Sequence, residues 1–200
     1  LGDTYAKQSK QQVPERVSIA VQDQLGLCLR NTLIWAKGTS MTPESAKRRR
    51  HTDFEFVYHF VKDAQRYYFS ADEIRIPYTT DISTDRKPPR HYASTRNHAE
   101  DWQSGASLRS PAGKIPGCVL EIARFTTPLD MDGEVEHTAA FPDRLIRELL
   151  KPIAQPGDIL LDPFSGSGTV GAVGAEFGCS YVGYDLNPAF NSLASKRLRE

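Results

Sequence analysis

The sequence predicts an α/β fold in which parallel strands are joined by crossover helices, and three features of residues 141–200 lead to that prediction. Residues 158–162 and 181–185 are short apolar runs of the kind that form buried strands. Apolar residues recur at helical spacing before, between and after these two runs. A glycine-rich loop separates the first run from the helix that follows it. Strands that alternate with helices at such short spacing favour a parallel sheet, because parallel neighbours need a crossover connection.

The order of these elements can be stated more closely. Pro142 is expected at the start of a helix, where a proline is well tolerated. After a turn at Pro156 and Gly157 and the first strand, a helix runs to about Phe177, and a last helix begins near Ala189. The apolar face of the first helix is predicted to consist of Leu145, Ile146, Leu149 and Leu150.

The first part of the chain continues the same pattern. A short amphipathic helix is predicted over residues 14–24, packed on a sheet. Residues 27–35 are predicted to form a buried strand, and the aromatic and β-branched residues 54–61 a second one, with the two strands paired as neighbours. Residues 70–116 contain five prolines without sustained periodicity and are predicted to be a long irregular insertion. The expected organisation is therefore 1–69 and 117–200 as parts of one domain, with 70–116 inserted.

Composition limits the classes of protein that the chain can represent. Its 200 residues suit one domain, and the formal net charge is zero. Residues 1–100 carry 16 Lys+Arg against 12 Asp+Glu, whereas residues 101–200 carry 9 against 13, so a polyanion would meet the first half more favourably. Three widely spaced cysteines and five histidines without ligand spacing predict neither disulfides nor a metal site. No apolar run approaches the roughly 18 residues of a membrane span, and a soluble, cytoplasmic protein is expected.

The glycine-rich loop carries the main functional signal. It contains Gly166, Gly168 and Gly171 at the spacing of a dinucleotide fingerprint, and Asp185 ends the next strand, where a carboxylate can accept hydrogen bonds from ribose hydroxyls. By itself the pattern leaves NAD open as the ligand. An NAD-binding unit normally begins its domain, however, whereas here only about thirty residues follow the loop. A sheet completed by earlier residues implies a permuted order, which favours a methyltransferase over a dehydrogenase.

The sequence around the loop resembles the permuted (beta-type) DNA amino-methyltransferases. The C-terminal segments that carry the resemblance are FPDRLI (141–146), PGD (156–158), DPFSGSGT (162–169) and GYDLNP (183–188). The upstream segments are LGDTYA (1–6), LRNTLIWAK (29–37), MTPES (41–45), FEFVYHFVK (54–62) and YYF (67–69). Residues 70–115 have no counterpart, as expected of a variable target-recognition region.

The resemblance implies a three-layer Rossmann-like, circularly permuted methyltransferase fold that binds S-adenosylmethionine. Phe164, Gly166 and Gly168 would shape the pocket for the methionine part of the cofactor, Asp185 would accept the ribose hydroxyls, and the segment 138–142 would close the other side. The full set of expected cofactor-binding residues is Asp162, Phe164, Ser165, Gly166, Ser167, Gly168, Thr169, Asp185, Leu186, Thr138 and Phe141.

One motif of the family is missing from this sequence. The catalytic tetrapeptide, which is Asp, Ser or Asn followed by Pro-Pro and an aromatic residue, precedes all the matching segments in the family. Here Pro88 and Pro89 have the wrong flanks, and Asp162 and Pro163 belong to the glycine loop. We therefore expect no catalytic residue in the chain, a sheet that is incomplete at the N-terminus, and a catalytic motif supplied from upstream of Leu1 or by a second chain. The isolated chain is expected not to methylate, and the target base, cytosine or adenine, stays open.

Double-stranded DNA is the implied substrate, in a restriction-modification system or as an orphan methylase. The residues expected to contact it are cations, because contacts to phosphate supply much of the affinity for DNA. They are Lys47, Arg48, Arg49, Arg50, Arg90 and Arg109. The run 47–50 is about equally well explained as a solvated loop. Two other functions stay open, an NAD-dependent oxidoreductase and a non-catalytic DNA-binding or partner-binding module.

Overall fold

The computed structural model describes residues 1–7, 9–38, 50–78, 110, 112–124 and 141–199. The chain divides into one unit of Leu1–Phe69 with Cys118–Glu200 and a second unit, Ser70–Gly117. In the second unit a 3₁₀ helix spans Ala71–Ile74, and a single antiparallel bridge joins Ile76 to Lys114. The elements of the first unit are β1 (Tyr5–Ala6), β2 (Ser9–Lys10), α1 (Val13–Leu25), β3 (Cys28–Ala36), β4 (Phe54–Val61), β5 (Val119–Glu121), α2 (Asp143–Leu150), β6 (Ile159–Asp162), α3 (Thr169–Glu176), β7 (Ser180–Gly183) and α4 (Pro188–Arg197).

Strand β3 lies at the centre of a three-stranded sheet. It pairs antiparallel with β4 along almost its whole length and parallel with β5 over its last three residues. The predicted pairing of the two strands is confirmed. The prediction that β3 is a buried strand is wrong for most of its length, because Trp35 alone in this strand is buried. The indole of Trp35 donates to the carbonyl of Ile122 at 2.7 Å, so its one polar group is satisfied.

A side chain from outside helix α1 accepts hydrogen bonds from the backbone at the start of the helix. The Asp3 carboxylate accepts hydrogen bonds from the backbone of Val13 at 3.1 Å and of Gln12 at 3.2 Å. Pro14 occupies the first turn, where the missing N–H is no loss. Gly26 ends the helix in the left-handed conformation, at φ 64°. These signals place the helix within one residue of its predicted bounds.

Strands β6 and β7 pair in parallel over four residues each, which confirms the predicted parallel arrangement. The strand predicted to reach Asp185 ends at Gly183, and Asp185 lies in the loop beyond it. Helix α2 packs against both the three-stranded sheet and helix α3. Leu145 belongs to a core cluster with Trp35 of β3, whereas Ile146 belongs to a second cluster with Val173 of α3. The apolar face predicted for this helix is therefore the face that is buried.

The two faces of the β6–β7 pair are covered unequally. Leu160 packs against the cluster of α2 and α3. Ile159, Leu161 and Val182, which point to the other side, are 70%, 66% and 40% exposed. We call these three residues the open face. Within the described residues, no hydrogen-bonded strand pairing joins β6 or β7 to the sheet of β3, β4 and β5.

Candidate functional site

The glycine loop spans residues 163–168 and leads from β6 directly into α3. Gly168 stands at the N-cap of the helix with φ 76°, a conformation that side chains other than glycine rarely adopt. A Cβ atom at this position would lie 2.9 Å from the Cβ of Ala194 on α4. Glycine is required here both by the backbone conformation and by the close approach of α4. The first turn of α3 thus presents backbone N–H groups at the end of the loop.

The loop is held to the turn after β7 by hydrogen bonds. The Asp185 carboxylate accepts from the backbone N–H of Gly166 at 2.9 Å and from that of Asn187 at 2.8 Å, one on each oxygen. The N–H of Ser165 donates to the carbonyl of Tyr184 at 2.8 Å. A carboxylate has about four acceptor sites, so Asp185 can accept further hydrogen bonds from a ligand. The glycine loop and Asp185, which the sequence assigns to one cofactor site, are therefore in direct contact in the folded chain.

Tyr181 forms a contact beneath the loop that sequence reasoning missed. Its hydroxyl donates to Ser165 Oγ at 2.9 Å and lies 3.4 Å from Asp162 Oδ2. Burial, with the neighbouring Asp162 carboxylate, raises the pKa of the Tyr181 phenol, and the Ser165 hydroxyl opposes this because it can donate a hydrogen bond to the phenolate. A Cβ atom on Gly183 would stand 2.6 Å from that hydroxyl, so the contact requires glycine two residues after the tyrosine. The only sequence signal was Tyr-x-Gly at the end of a strand.

An open cleft of about 390 Å³ lies beside this contact, within the usual size of small-ligand sites. Two of the predicted cofactor residues, Ser165 and Asp185, line it. The remaining lining residues are Tyr181, Gly183, Tyr184, Asn191, Ala194, Ser195 and Leu198.

The other predicted cofactor residues differ in what their side chains can do. Phe164 is 86% exposed, and Leu186 is fully exposed, so both project apolar surface beside the loop. Ser167 and Thr169 are buried, and their hydroxyls lie 3.4 Å apart. Their side chains support the loop from inside and leave only backbone groups for a ligand. The Asp162 carboxylate accepts from the N–H of Phe164 at 3.0 Å and shapes the first turn of the loop.

The second segment of the predicted site, 138–142, is described from Phe141 onward, and we call residues 141–143 the Phe141 segment. Its ring meets that of Trp35 edge-on at 5.9 Å. Two residues later, Asp143 accepts from Nη2 of Arg197 at 2.8 Å. Nη1 of the same arginine donates to Thr169 Oγ1 at 3.1 Å. Arg197, which the sequence did not single out, thereby connects the Phe141 segment to the helix that follows the glycine loop.

Arg50 is the one predicted DNA-contacting residue that lies within the described ranges, and it is exposed. In the part of the chain that the structure covers, no group of three His, Cys, Asp or Glu residues could hold a metal ion. Among those same residues, no helix is long and apolar enough to cross a membrane. The predicted residues that lie outside the described ranges are Thr138, Lys47, Arg48, Arg49, Arg90 and Arg109.

Comparison with protein families and known sequences gives a consistent set of relatives. A family model described as DNA methylase matches residues 2–196. The type II methyltransferase M.XycI of Xanthomonas campestris pv. cyanopsidis is 33% identical over 187 residues, which cover 94% of this chain and 49% of that protein. The DNA adenine methyltransferase YhdJ of Escherichia coli K12 is 27% identical over 202 residues, covering 98% of this chain and 60% of that protein. The chain thus spans about half to three fifths of the length of these relatives.

Solved structures show the same fold. The PvuII DNA methyltransferase, described as cytosine-N4-specific, matches with a TM-score of 0.69 at 20% identity, covering 98% of this chain and 61% of that one. The complex of M1.HpyAVI with SAM matches with a TM-score of 0.61 at 18% identity, covering 96% and 72%. The predicted α/β methyltransferase fold is confirmed by these likenesses.

Proposed function

Because the chain belongs to the DNA methylase family, we propose that it binds S-adenosylmethionine at the glycine loop and takes part in methylating an exocyclic amino group of cytosine or adenine in DNA. The observation that carries the proposal is the hydrogen bond between Gly166 and Asp185, because it joins the glycine loop and the predicted ribose acceptor in one place. The alternative of an NAD-dependent oxidoreductase has only the glycine spacing in its favour.

The described residues fit S-adenosylmethionine in three respects. The remaining acceptor sites of Asp185 suit a pair of ribose hydroxyls. The first turn of α3 suits an anionic group such as the carboxylate of the methionine part, since free N–H groups and the helix dipole both favour negative charge there. The exposed ring of Phe164 offers apolar surface to the rest of the molecule. When bound, the cofactor supplies a methyl group on a sulfonium, ready for direct transfer to an amine.

The chain's own part in the reaction is to bind and orient. Hydrogen bonds among Asp162, Tyr181, Ser165 and Asp185 hold the loop before any ligand arrives, so little ordering cost falls on the binding step. The base must leave the duplex stack to reach a methyl group held at this loop. We assign target recognition to the insertion 70–116 and phosphate contacts to the cations at 47–50, 90 and 109. The salt dependence of DNA binding tests the phosphate contacts, and an affinity for DNA that does not fall with salt would contradict them.

A further segment is proposed to complete the enzyme, either on the same polypeptide or on a second chain. Sheets of parallel strands are normally covered on both faces, whereas Ile159 and Leu161 stand largely exposed on β6. The matched region is 49% of M.XycI and 60% of YhdJ. We propose that this segment covers the open face and carries the catalytic tetrapeptide. Residues 1–200 alone would then bind cofactor and DNA without transferring the methyl group.

Titration calorimetry with S-adenosylmethionine and, separately, NAD tests the cofactor assignment. We expect binding of S-adenosylmethionine alone, and Asp185→Asn should weaken it about tenfold or more, since a charged acceptor is lost. Asp158→Asn is the matched control, because Asp158 lies at the opposite end of β6 and caps a turn through the N–H of Gln155 at 2.8 Å. Binding of NAD in place of S-adenosylmethionine would overturn the proposal.

A further inference from the structure

We propose that Arg197 is a positioning residue for the cofactor site, where it fixes the Phe141 segment against the glycine loop. The inference rests on the proposed function, because it assumes that these two segments bracket one ligand. Nothing in the glycine spacing or in the family segments at 141–146 and 162–169 involves this arginine, which is the last residue of α4.

The geometry of the guanidinium supports a connecting role. Nη1 donates to Thr169, the first residue of α3, and Nη2 donates to Asp143, the first residue of α2. The Thr169 side chain is buried, and that of Arg197 is only 20% exposed. A planar fork with separate donors can hold two acceptors at fixed directions, which a lysine ammonium on a flexible stem does not reproduce. One side chain therefore sets the distance between the first turns of two helices.

Both first turns lie at the predicted site. Thr169 directly follows Gly168, where the glycine loop ends, and Asp143 lies two residues after Phe141. Arg197 also neutralises Asp143. Without the guanidinium, an unpaired carboxylate would remain near the helix start that is proposed to receive an anionic group, and the two would repel each other.

An ion pair formed directly between α2 and α3 provides a natural control. Arg147 of α2 donates to Glu176 of α3 through two hydrogen bonds, of 2.8 Å from Nε and 2.5 Å from Nη2. Glu176 is the last residue of α3, so this pair joins the helices away from the glycine loop. If Arg197 only helped to pack α2 on α3, its loss and the loss of Arg147 should have the same consequences.

The experiment compares Arg197→Met, Arg197→Lys and Arg147→Met in the 200-residue chain, with three measurements. Calorimetry gives the Kd for S-adenosylmethionine, thermal unfolding gives Tm, and hydrogen exchange gives the protection of the Gly166 and Gly168 amides, which are hydrogen-bonded in the loop. We expect Arg197→Met to raise the Kd about tenfold and to speed exchange of both amides. Arg197→Lys should have an intermediate effect, and Arg147→Met should leave the Kd and both amides unchanged even where it lowers Tm.

The inference would be overturned if Arg197→Met kept both the Kd and the amide exchange rates of the unaltered chain. It would also be overturned if Arg147→Met changed these quantities as much as Arg197→Met does. Exchange needs no cofactor, so it decides the role of Arg197 even if the unaltered chain binds no S-adenosylmethionine. That last outcome would count against the proposed function alone. Where Arg197→Met does not fold, the lysine variant carries the same comparison.

Discussion

The two strand pairs of the first unit, β3–β4 and β6–β7, contrast in length, direction and cover. The first pair is antiparallel, with strands of nine and eight residues. A row of aromatic side chains runs along one face of β4, with Phe56 and Tyr58 stacked at 5.9 Å. The second pair is parallel, with four residues in each strand and one face left open. The predicted site is built on the second pair.

The contrast has a physical basis. An antiparallel pair can present one face to water, and side-chain contacts along a single strand help to stabilise it. A short parallel pair depends on cover from both sides, because its strands are apolar on both faces. Leu160 has that cover from α2 and α3, and Leu161 does not. The pair that carries the site is therefore the one that most needs a further element.

Truncating neighbouring leucines tests this contrast with the largest expected effect. Leu160→Ala removes a side chain packed in the cluster of α2 and α3, and should lower the free energy of unfolding by about 2–3 kcal/mol. Leu161→Ala, one residue along the same strand, should change it by less than about 0.5 kcal/mol in this chain, because the side chain is mostly exposed. Urea unfolding of both variants provides the measurement.

The same two variants test the proposed cover. In a complex with a segment that covers the open face, Leu161→Ala should lower the free energy of unfolding as much as Leu160→Ala does. Equal losses in the chain by itself would show that the open face is already packed and would remove the argument for a covering segment.

A glycine in β7 gives the next largest effect. Gly183→Ala places a Cβ atom 2.6 Å from the Tyr181 hydroxyl and 2.8 Å from Ser165 Oγ. The resulting overpacking should cost about 1–3 kcal/mol of stability and displace the start of the glycine loop, which weakens cofactor binding. Gly117→Ala is the control, because no atom lies within 4 Å of its added Cβ. Unfolding and calorimetry on both variants check the prediction, which fails if the two alanines behave alike.

Tyr181→Phe removes the hydroxyl that Gly183→Ala would strike. The change loses the hydrogen bond to Ser165 at 2.9 Å and the longer contact with Asp162 at 3.4 Å, and should cost about 1 kcal/mol. In the double variant the hydroxyl is absent and the alanine has more room. The loss of stability should therefore be smaller than the sum of the losses in the two single variants. A double-mutant cycle by urea unfolding measures this coupling. Strict additivity would show that the clash is relieved elsewhere.

Local sequence signals predicted most of the elements in both strand pairs. The signals are Pro14, Pro142, the apolar spacing of α2 and the glycines of the loop, and each acts on an element within a few residues of it. The corresponding helices and strands lie where expected. That the glycine loop and Asp185 lie at the same edge of the sheet was also predictable, because parallel strands bring successive carboxyl ends to one edge. The hydrogen bond between Gly166 and Asp185 itself was not predicted.

The remaining features depend on which elements meet in space. Alternation along a strand gives the face on which Tyr181 lies but does not reveal that Ser165 will meet its hydroxyl. Likewise Thr169 matches a family motif, and the sequence does not show that its side chain turns inward to Arg197. The exposure of Leu161 cannot be predicted from β6 itself, since an apolar run predicts cover on both faces.

The smallest predicted effect concerns His59, near the end of β4 in the long pair. Burial, and then the positive charge of Arg30, lower the pKa of His59 below its ordinary value of 6.5. The unfolded chain therefore binds the proton more readily than the folded one. Stability should be greatest above about pH 6.5 and should fall as the pH drops through the lowered pKa. The loss should be modest, since His59 is only half-buried and solvent screens the charge. Urea unfolding of the unaltered chain and of His59→Gln at pH 7.5 and 5.5 measures it, and the variant should lose less stability on acidification. An equal loss in both proteins would place the titrating group elsewhere.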